Sequence, residues 1–116
     1  MEHEVMIVRI YLNEADHGRK KTLMQEVFNL LHDQHRVQGV TVLRGIAGFG
    51  DSGEVHASDM LRLNVDLPLL VEFFDTPQVA AAAIGLLENI VPSGHILSWR
   101  ATKHGEATSR TMPKRI

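Results

Sequence analysis

Cysteine is absent from the 116 residues, which excludes disulfide frameworks, thiolate metal sites, cysteine nucleophiles and thiol switching, and makes a reducing compartment the expected setting. No stretch approaches the roughly 20 consecutive apolar residues of a membrane helix. The opening Met1-Glu2-His3-Glu4 is acidic where a secretory leader would be basic, so a cytoplasmic location is expected. Aromatic residues make up only 5 %, with one Trp and one Tyr, too few for a base-stacking platform, which needs several in series. Basic charge is in short supply as well. Residues 1–99 hold 7 Lys and Arg against 13 Asp and Glu, a net −6, whereas residues 100–116 hold 5 against 1, a net +4. An acidic body repels a phosphate backbone, so nucleic acid is not an expected partner. The sequence contains no Gly-x-Ser-x-Gly, no His-Glu-x-x-His and no Gly-Lys-Ser/Thr, so serine hydrolase, zinc peptidase and Walker-type nucleotide chemistry have no footing.

What is present suits one domain with an ordinary hydrophobic core: 44 % of the residues are hydrophobic, and a chain this long buries roughly two-thirds of its unfolded surface. Residues 5–12, VMIVRIYL, read as a buried strand. Met6, Val8, Ile10 and Leu12 form a wholly apolar face expected to meet helices, and Val5, Ile7, Arg9 and Tyr11 a mixed one. Residues 20–36 carry Leu23, Met24, Val27, Phe28, Leu30 and Leu31 at helical spacing. Residues 40–46 alternate as a second strand, and strand signal resumes over 61–65 and 69–74 with Pro68 as a bend or bulge between them. Thr76-Pro77 marks a helix start, with Val79, Ala83, Leu86, Leu87 and Ile90 turned inward and an end before Pro92. Residues 95–100 form a last strand. Residues 101–116 lack periodicity and read as a basic, flexible tail outside a domain of residues 1–100.

The order strand, helix, strand, strand, helix, strand is the split β-α-β (βαββαβ) pattern of α+β, ferredoxin-like folds: a four-stranded antiparallel sheet with two helices on one face. The other face is left open. Arg9, Tyr11 and Val42 make it too apolar to stand in water, so a closed oligomer is expected, with two-fold symmetry the most frequent kind.

Five of the nine glycines fall between Gly39 and Gly53, making residues 47–58 a loop that needs positive φ or close approach of another group. Gly48-Phe49-Gly50-Asp51-Ser52-Gly53 matches G-x-G-x-x-G literally. The dinucleotide fingerprint requires a helix directly after the glycines, and residues 54–60 show no helical stripe, so the match is accidental. Two readings stay open. Backbone N–H groups in such a loop can form an anion nest, with Arg44 supplying a guanidinium fork for phosphate or carboxylate. Alternatively the glycines serve the geometry of a long hairpin connection and Arg44 sits in a surface ion pair. His56 shares the loop and can add a hydrogen bond. Glu14 and Asp16 flank the first turn, where carboxylates usually cap or stay solvated but can serve as a base. His32 and His35 are three apart near the end of the first helix, and no third ligand converges on them, so no metal site is assigned.

VTVLRGIAGFG, then VHAS, then DLPLLVEFFDT, with VRIYLNEAD, KTLMQEVFNLL and SGHILSW in support, resemble a bacterial and archaeal family of unknown function among the PII-like proteins, domain-of-unknown-function family 190. The likeness spans residues 5–100, and R-G-x-x-G-F-G is its most specific part. It implies a ferredoxin-like domain assembled as a homotrimer with the open sheet faces inward, in place of the two-fold dimer. In PII proteins the loop between the second and third strands lies near clefts between subunits where adenine nucleotides bind. Carried onto this chain, that implies a ligand site of Arg44, Gly45, Gly48, Phe49, Gly50 and His56, with Glu14 and Asp16 as neighbours, and Gly94, Arg100 and Lys103 as a looser extension. Family members are often encoded beside fluoride-exporting channels, which implies a membrane-protein partner. Two departures stand out. Arg36 occupies the place of a helix-ending Gly, and residues 47–58 are shorter than a PII regulatory loop and lack Tyr, so no uridylylation switch is expected.

The expectation is therefore a non-enzymatic PII-like sensor with no resident cofactor, binding an adenine nucleotide or similar anionic metabolite between subunits and regulating a partner. One alternative is a small ferredoxin-like enzyme with Glu14 or His56 as base in an enclosed pocket. The other is a metal-binding tolerance protein, with His56 as the residue to test.

Overall fold

Strand β1 (Glu2–Asn13) is the central element, because both halves of the chain pair with it: β5 (Pro68–Asp75) runs antiparallel along one side and β6 (Ile96–His104) along the other. Strand β2 (Thr41–Arg44) adds to the outer side of β5, giving the order β2-β5-β1-β6. The computed structural model describes residues 2–16, 18, 21–33, 36–49 and 66–105, and the backbone of 55–57. The ferredoxin-like arrangement read from the element order is the one observed.

Register fixes the two faces. Ile10 stands opposite Val71 and Ile96, Val8 opposite Phe73, and Leu12 opposite Leu69. A period of two therefore puts these residues on one side, where Val8, Ile10 and Val71 are fully buried. Helix α1 (Leu23–His32) packs there through Leu23, Val27 and Leu31, and helix α2 (Pro77–Leu87) through Ala80, Ala83 and Leu87. Each fully buried Leu or Val contributes roughly 1.5–3 kcal/mol of transfer free energy, so this one layer of contact accounts for the sandwich of two helices on the sheet. Thr22 caps α1, its hydroxyl accepting from the Gln25 N–H at 3.3 Å, and Thr76 caps α2 by accepting from Val79 N–H at 3.2 Å, with Pro77 in the first turn.

Several boundaries differ from the sequence reading. Helix α1 is shorter at both ends than 20–36: it starts after the Thr22 cap and stops at His32, where Asp33 turns extended (φ −65°, ψ 136°). Arg36 therefore ends no helix, and the missing glycine costs nothing there. Val42 does not belong to the open face with Arg9 and Tyr11. It pairs with the buried Val71 on the helix side, while Leu43, opposite Leu70, takes the open face. Pro68 is the first residue of β5, a position that needs no ladder N–H. Residues 61–65 lie outside the described residues. The segment 47–58 is not simply a loop, since β3 (Ala47–Phe49) pairs with β4 (Val55–Ala57) as a separate two-stranded hairpin.

The last strand also runs further than 100. Ala101–His104 continue β6 and pair with Glu2–Val5, forming a two-stranded ribbon past the point where β5 stops at Asp75, opposite Met6. An ion pair ties the ribbon, Arg100 Nη1 to Glu4 Oε2 at 3.2 Å, and His104 Nδ1 stands 3.9 Å from Glu2 Oε2. The tail's first four residues are thus strand, held by backbone pairing rather than by an apolar face; residues 106–116 lie outside the described residues.

Candidate functional site

At the end of β1 the chain turns through Asn13–Asp16, and three segments meet. Asp16 Oδ2 accepts from Asn13 N–H at 2.8 Å, closing the turn, and Ala15 N–H donates to Asp66 Oδ1 at 2.8 Å. Glu14 does more. Its N–H donates to Leu67 O at 2.9 Å, and its Oε1 accepts from Leu67 N–H at 3.2 Å and from Arg44 Nη2 at 2.9 Å. One carboxylate thus ties the end of β1, the approach to β5 and the end of β2. The Arg44 side chain remains 60 % exposed against 29 % for Glu14, so the guanidinium is held at one nitrogen and still open to solvent.

The hairpin rises directly from this point. Gly45 N–H donates to Pro68 O at 2.7 Å. A Cβ on Gly45 would stand 3.2 Å from Pro68 Cβ and Cγ, and one on Gly48 3.0 Å from Pro68 Cγ. Neither glycine has a left-handed φ. Of the two causes expected for these glycines, close approach is the one observed, and the close group is a proline ring. Gly48 lies opposite His56 in the β3–β4 ladder, and Ile46 and Phe49 are 79 % and 73 % exposed.

The structure therefore brings Arg44, Glu14, Gly45 and Gly48 together around Leu67 and Pro68. Asp16 stands in the same turn with its carboxylate engaged by the backbone, and Phe49 projects from the hairpin into solvent. Gly50 and the side chain of His56 lie outside the described residues. The looser group stands elsewhere, on β6 and the turn before it, at the opposite edge of the sheet from β2. Gly94 (φ 86°) helps line an open cavity of about 190 Å³ with Glu88, Val91, Pro92, Ser93 and Ile96. Arg100 is paired with Glu4, and Lys103 stands opposite His3.

Sequence reading missed a second polar cluster. In the middle of the open sheet face, Arg9 Nε and Nη2 donate to Glu72 Oε1 at 2.8 and 2.6 Å, and the Arg9 guanidinium carbon lies 5.3 Å from the Trp99 ring centroid. Hydrogen bonding to Tyr11 and to Glu72 pushes the Arg9 pKa above its already high ordinary value. The available signal was the lone Glu inside LLVEFF, which alternation puts on the same side as Arg9. Among the described residues no group of three His, Asp or Glu is placed to hold a metal ion, and no helix is long and apolar enough to cross a membrane.

A protein-family model, DUF190 (uncharacterised ACR), matches residues 5–103. The chain belongs to this family. The DUF190 chain is 28 % identical over 91 residues to the UPF0166 protein MJ1524 of Methanocaldococcus jannaschii, covering 78 % of this chain and 82 % of that one. Its fold is similar to that of CPII, a nitrogen regulatory PII-like protein from Thiomonas intermedia K12, in two solved structures. One, bound to ADP, AMP and bicarbonate, superposes with a TM-score of 0.61 at 17 % identity over 89 % of this chain and 91 % of that chain. The other, bound to ADP and bicarbonate, gives 0.60 at 15 % identity with the same coverage. At these identities the likeness establishes the PII-like fold.

Proposed function

We propose that this chain is a non-enzymatic, PII-like ligand-binding regulator of the cytoplasm. In this reading it assembles as a homotrimer through the open sheet face and takes an adenine nucleotide or similar anionic metabolite at the seams between subunits. The observation that carries the reading is the place of Arg44. Consecutive residues of the edge strand β2 put Leu43, 47 % exposed, on the uncovered face and the solvent-open Arg44 guanidinium on the same edge. A subunit that covers Leu43 reaches the strand on which Arg44 stands. The nucleotide and bicarbonate held by the CPII structures support an anion as ligand.

Arg44 would hold phosphate or carboxylate by charge-assisted hydrogen bonds, Gly48 and Gly50 would offer backbone N–H groups, Phe49 would pack on the ligand or the adjoining subunit, and His56 would add a hydrogen bond. Glu14 orients Arg44 from behind. Ligand at Arg44 alters the root of the hairpin, and the exposed Ile46 and Phe49 on that hairpin suit a surface read by a partner protein, such as a membrane channel or transporter. The test is calorimetric titration of the purified protein with AMP, ADP, ATP, cyclic nucleotides, bicarbonate and fluoride, alongside its mass by light scattering. Saturable binding of one of them, lost in Arg44→Ala, supports the reading; no binding of any of them by the wild-type protein overturns it.

A further inference from the structure

The uncovered sheet face carries apolar side chains around a charged centre, with Thr41 beside Glu72 and the His3 and Lys103 positions at its far end. Ile7 stands opposite Phe74 and Trp99, and Tyr11 opposite Leu70; Leu97 and Trp99 are 50 % and 40 % exposed. Between them, Arg9 is opposite Glu72 on one side and Leu97 on the other. The Arg9 and Glu72 side chains are 31 % and 32 % exposed, already withdrawn from most of the water among their apolar neighbours.

Covering such a face with another protein removes the remaining water from whatever charge stands at its centre. An unpaired buried charge is strongly unfavourable, whereas a pair with good geometry is tolerated. Here the charges are paired inside the protomer before anything docks: two N–H donors reach the Glu72 carboxylate, and the guanidinium carbon stands over the Trp99 ring within cation–π range. The face thus answers its own central charge, and the surface that fits it is apolar with no net charge at its middle, as a second copy of the same face is.

We propose that the Arg9–Glu72 pair is the specificity element of self-assembly, an internally neutralised centre that lets the sheet faces of identical subunits meet and that decides whether they do. The inference rests on the assembly named above and adds the residues that control it. Closed symmetry repeats every side chain in each subunit, so stranding one charge of the pair places a like charge on the docking face of every copy. Glu72→Gln keeps the shape and strands Arg9. Arg9→Met with Glu72→Leu removes both charges and keeps the bulk, a replacement that buried ion pairs commonly tolerate or gain from.

The experiment follows the mass of the full chain by light scattering through a dilution series, with fluorescence of Trp99, the chain's one tryptophan, reporting whether the face is covered. The wild-type protein is expected to stay assembled, Glu72→Gln to dissociate at a concentration at least tenfold higher, and the double variant to assemble as tightly as wild type or tighter. If Glu72→Gln does not fold, Arg9→Met, which strands Glu72 instead, takes its place against the double variant. A single variant that assembles like wild type overturns the role of the pair while leaving the assembly in place. A double variant as weak as the single one overturns it too, because lost packing and not a stranded charge would then be the cause. A monomeric wild-type protein overturns both this inference and the assembly it rests on.

Discussion

Arg44 and Glu14, thirty residues apart in the chain, meet at 2.9 Å where the ends of β1 and β2 converge. The contact is largely open to water, and exposed pairs of this kind contribute about 0–1 kcal/mol to folding. It therefore holds a guanidinium in place more than it holds the fold together. Arg44→Ala should lower the unfolding free energy in urea by less than about 1 kcal/mol. The same change should weaken binding of the nucleotide or anion by about 1.5–3 kcal/mol if a charged hydrogen bond is lost. Calorimetry on the same preparation separates the two effects, and unchanged affinity removes Arg44 from the site.

Glu14 offers a test in the opposite direction. Its carboxylate neutralises part of the Arg44 charge and also accepts from the Leu67 N–H. A glutamine oxygen can still accept both hydrogen bonds, so Glu14→Gln keeps the arrangement and removes the competing negative charge. Anion affinity should rise, by up to about 1 kcal/mol on the scale of an exposed pair. A fall in affinity would mean that Glu14 contacts the ligand itself.

The parts of the fold legible in the sequence are those set by side-chain period. Val8, Ile10 and Leu12 alternate against α1 and α2 as their spacing requires, and Thr76-Pro77 starts α2 because that pair supplies its own cap and its own φ. What stayed hidden depends on contacts between distant segments. Glu2–Val5 and Ala101–His104 pair through the backbone, next to the Arg100–Glu4 ion pair, with no apolar period to announce the ribbon. The face of Val42 is not legible in the sequence, because a four-residue edge strand offers little alternation, and its register against Val71 decides the question. The candidate site shows the same division. Arg44 beside a glycine-rich segment is legible, and Glu14, 30 residues away, enters as its neighbour through the family resemblance; the Pro68 ring under Gly45 and Gly48, 20 or more residues away, does not.

Among the described residues Asp75 is the buried acidic side chain, 5 % exposed at the end of β5. Oδ1 accepts from Thr76 N–H at 2.7 Å and Oδ2 from Gln38 N–H at 3.3 Å, so one carboxylate joins the start of α2 to the connection between α1 and β2. Asp75→Ala leaves those N–H groups without their acceptor and should destabilise the protein by about 2–3 kcal/mol. Asp75→Asn retains one acceptor oxygen and should lose less. Urea unfolding of the two variants checks the order; equal losses would mean that the charge matters and the hydrogen bonds do not.

Gly48 and Pro68 allow the packing of the hairpin to be tested apart from its chemistry. The Gly48 backbone is not in the left-handed region, so alanine there meets no φ penalty; what it meets is Pro68 Cγ at 3.0 Å. Relieving that contact requires the hairpin to lift from β5, at a cost of about 1 kcal/mol, the lower end of what overpacking brings. Pro68→Ala removes the Cγ and with it the obstruction, so the two substitutions together should destabilise the protein by less than the sum of their separate effects, with a coupling of about 0.5 kcal/mol or more. The binding data should follow the same cycle. If the seating of the hairpin on Pro68 sets the position of Arg44, Gly48→Ala lowers ligand affinity and the double variant restores it. Strict additivity in both stability and affinity would mean that the ring merely lies near the glycine and that the hairpin takes its position from elsewhere.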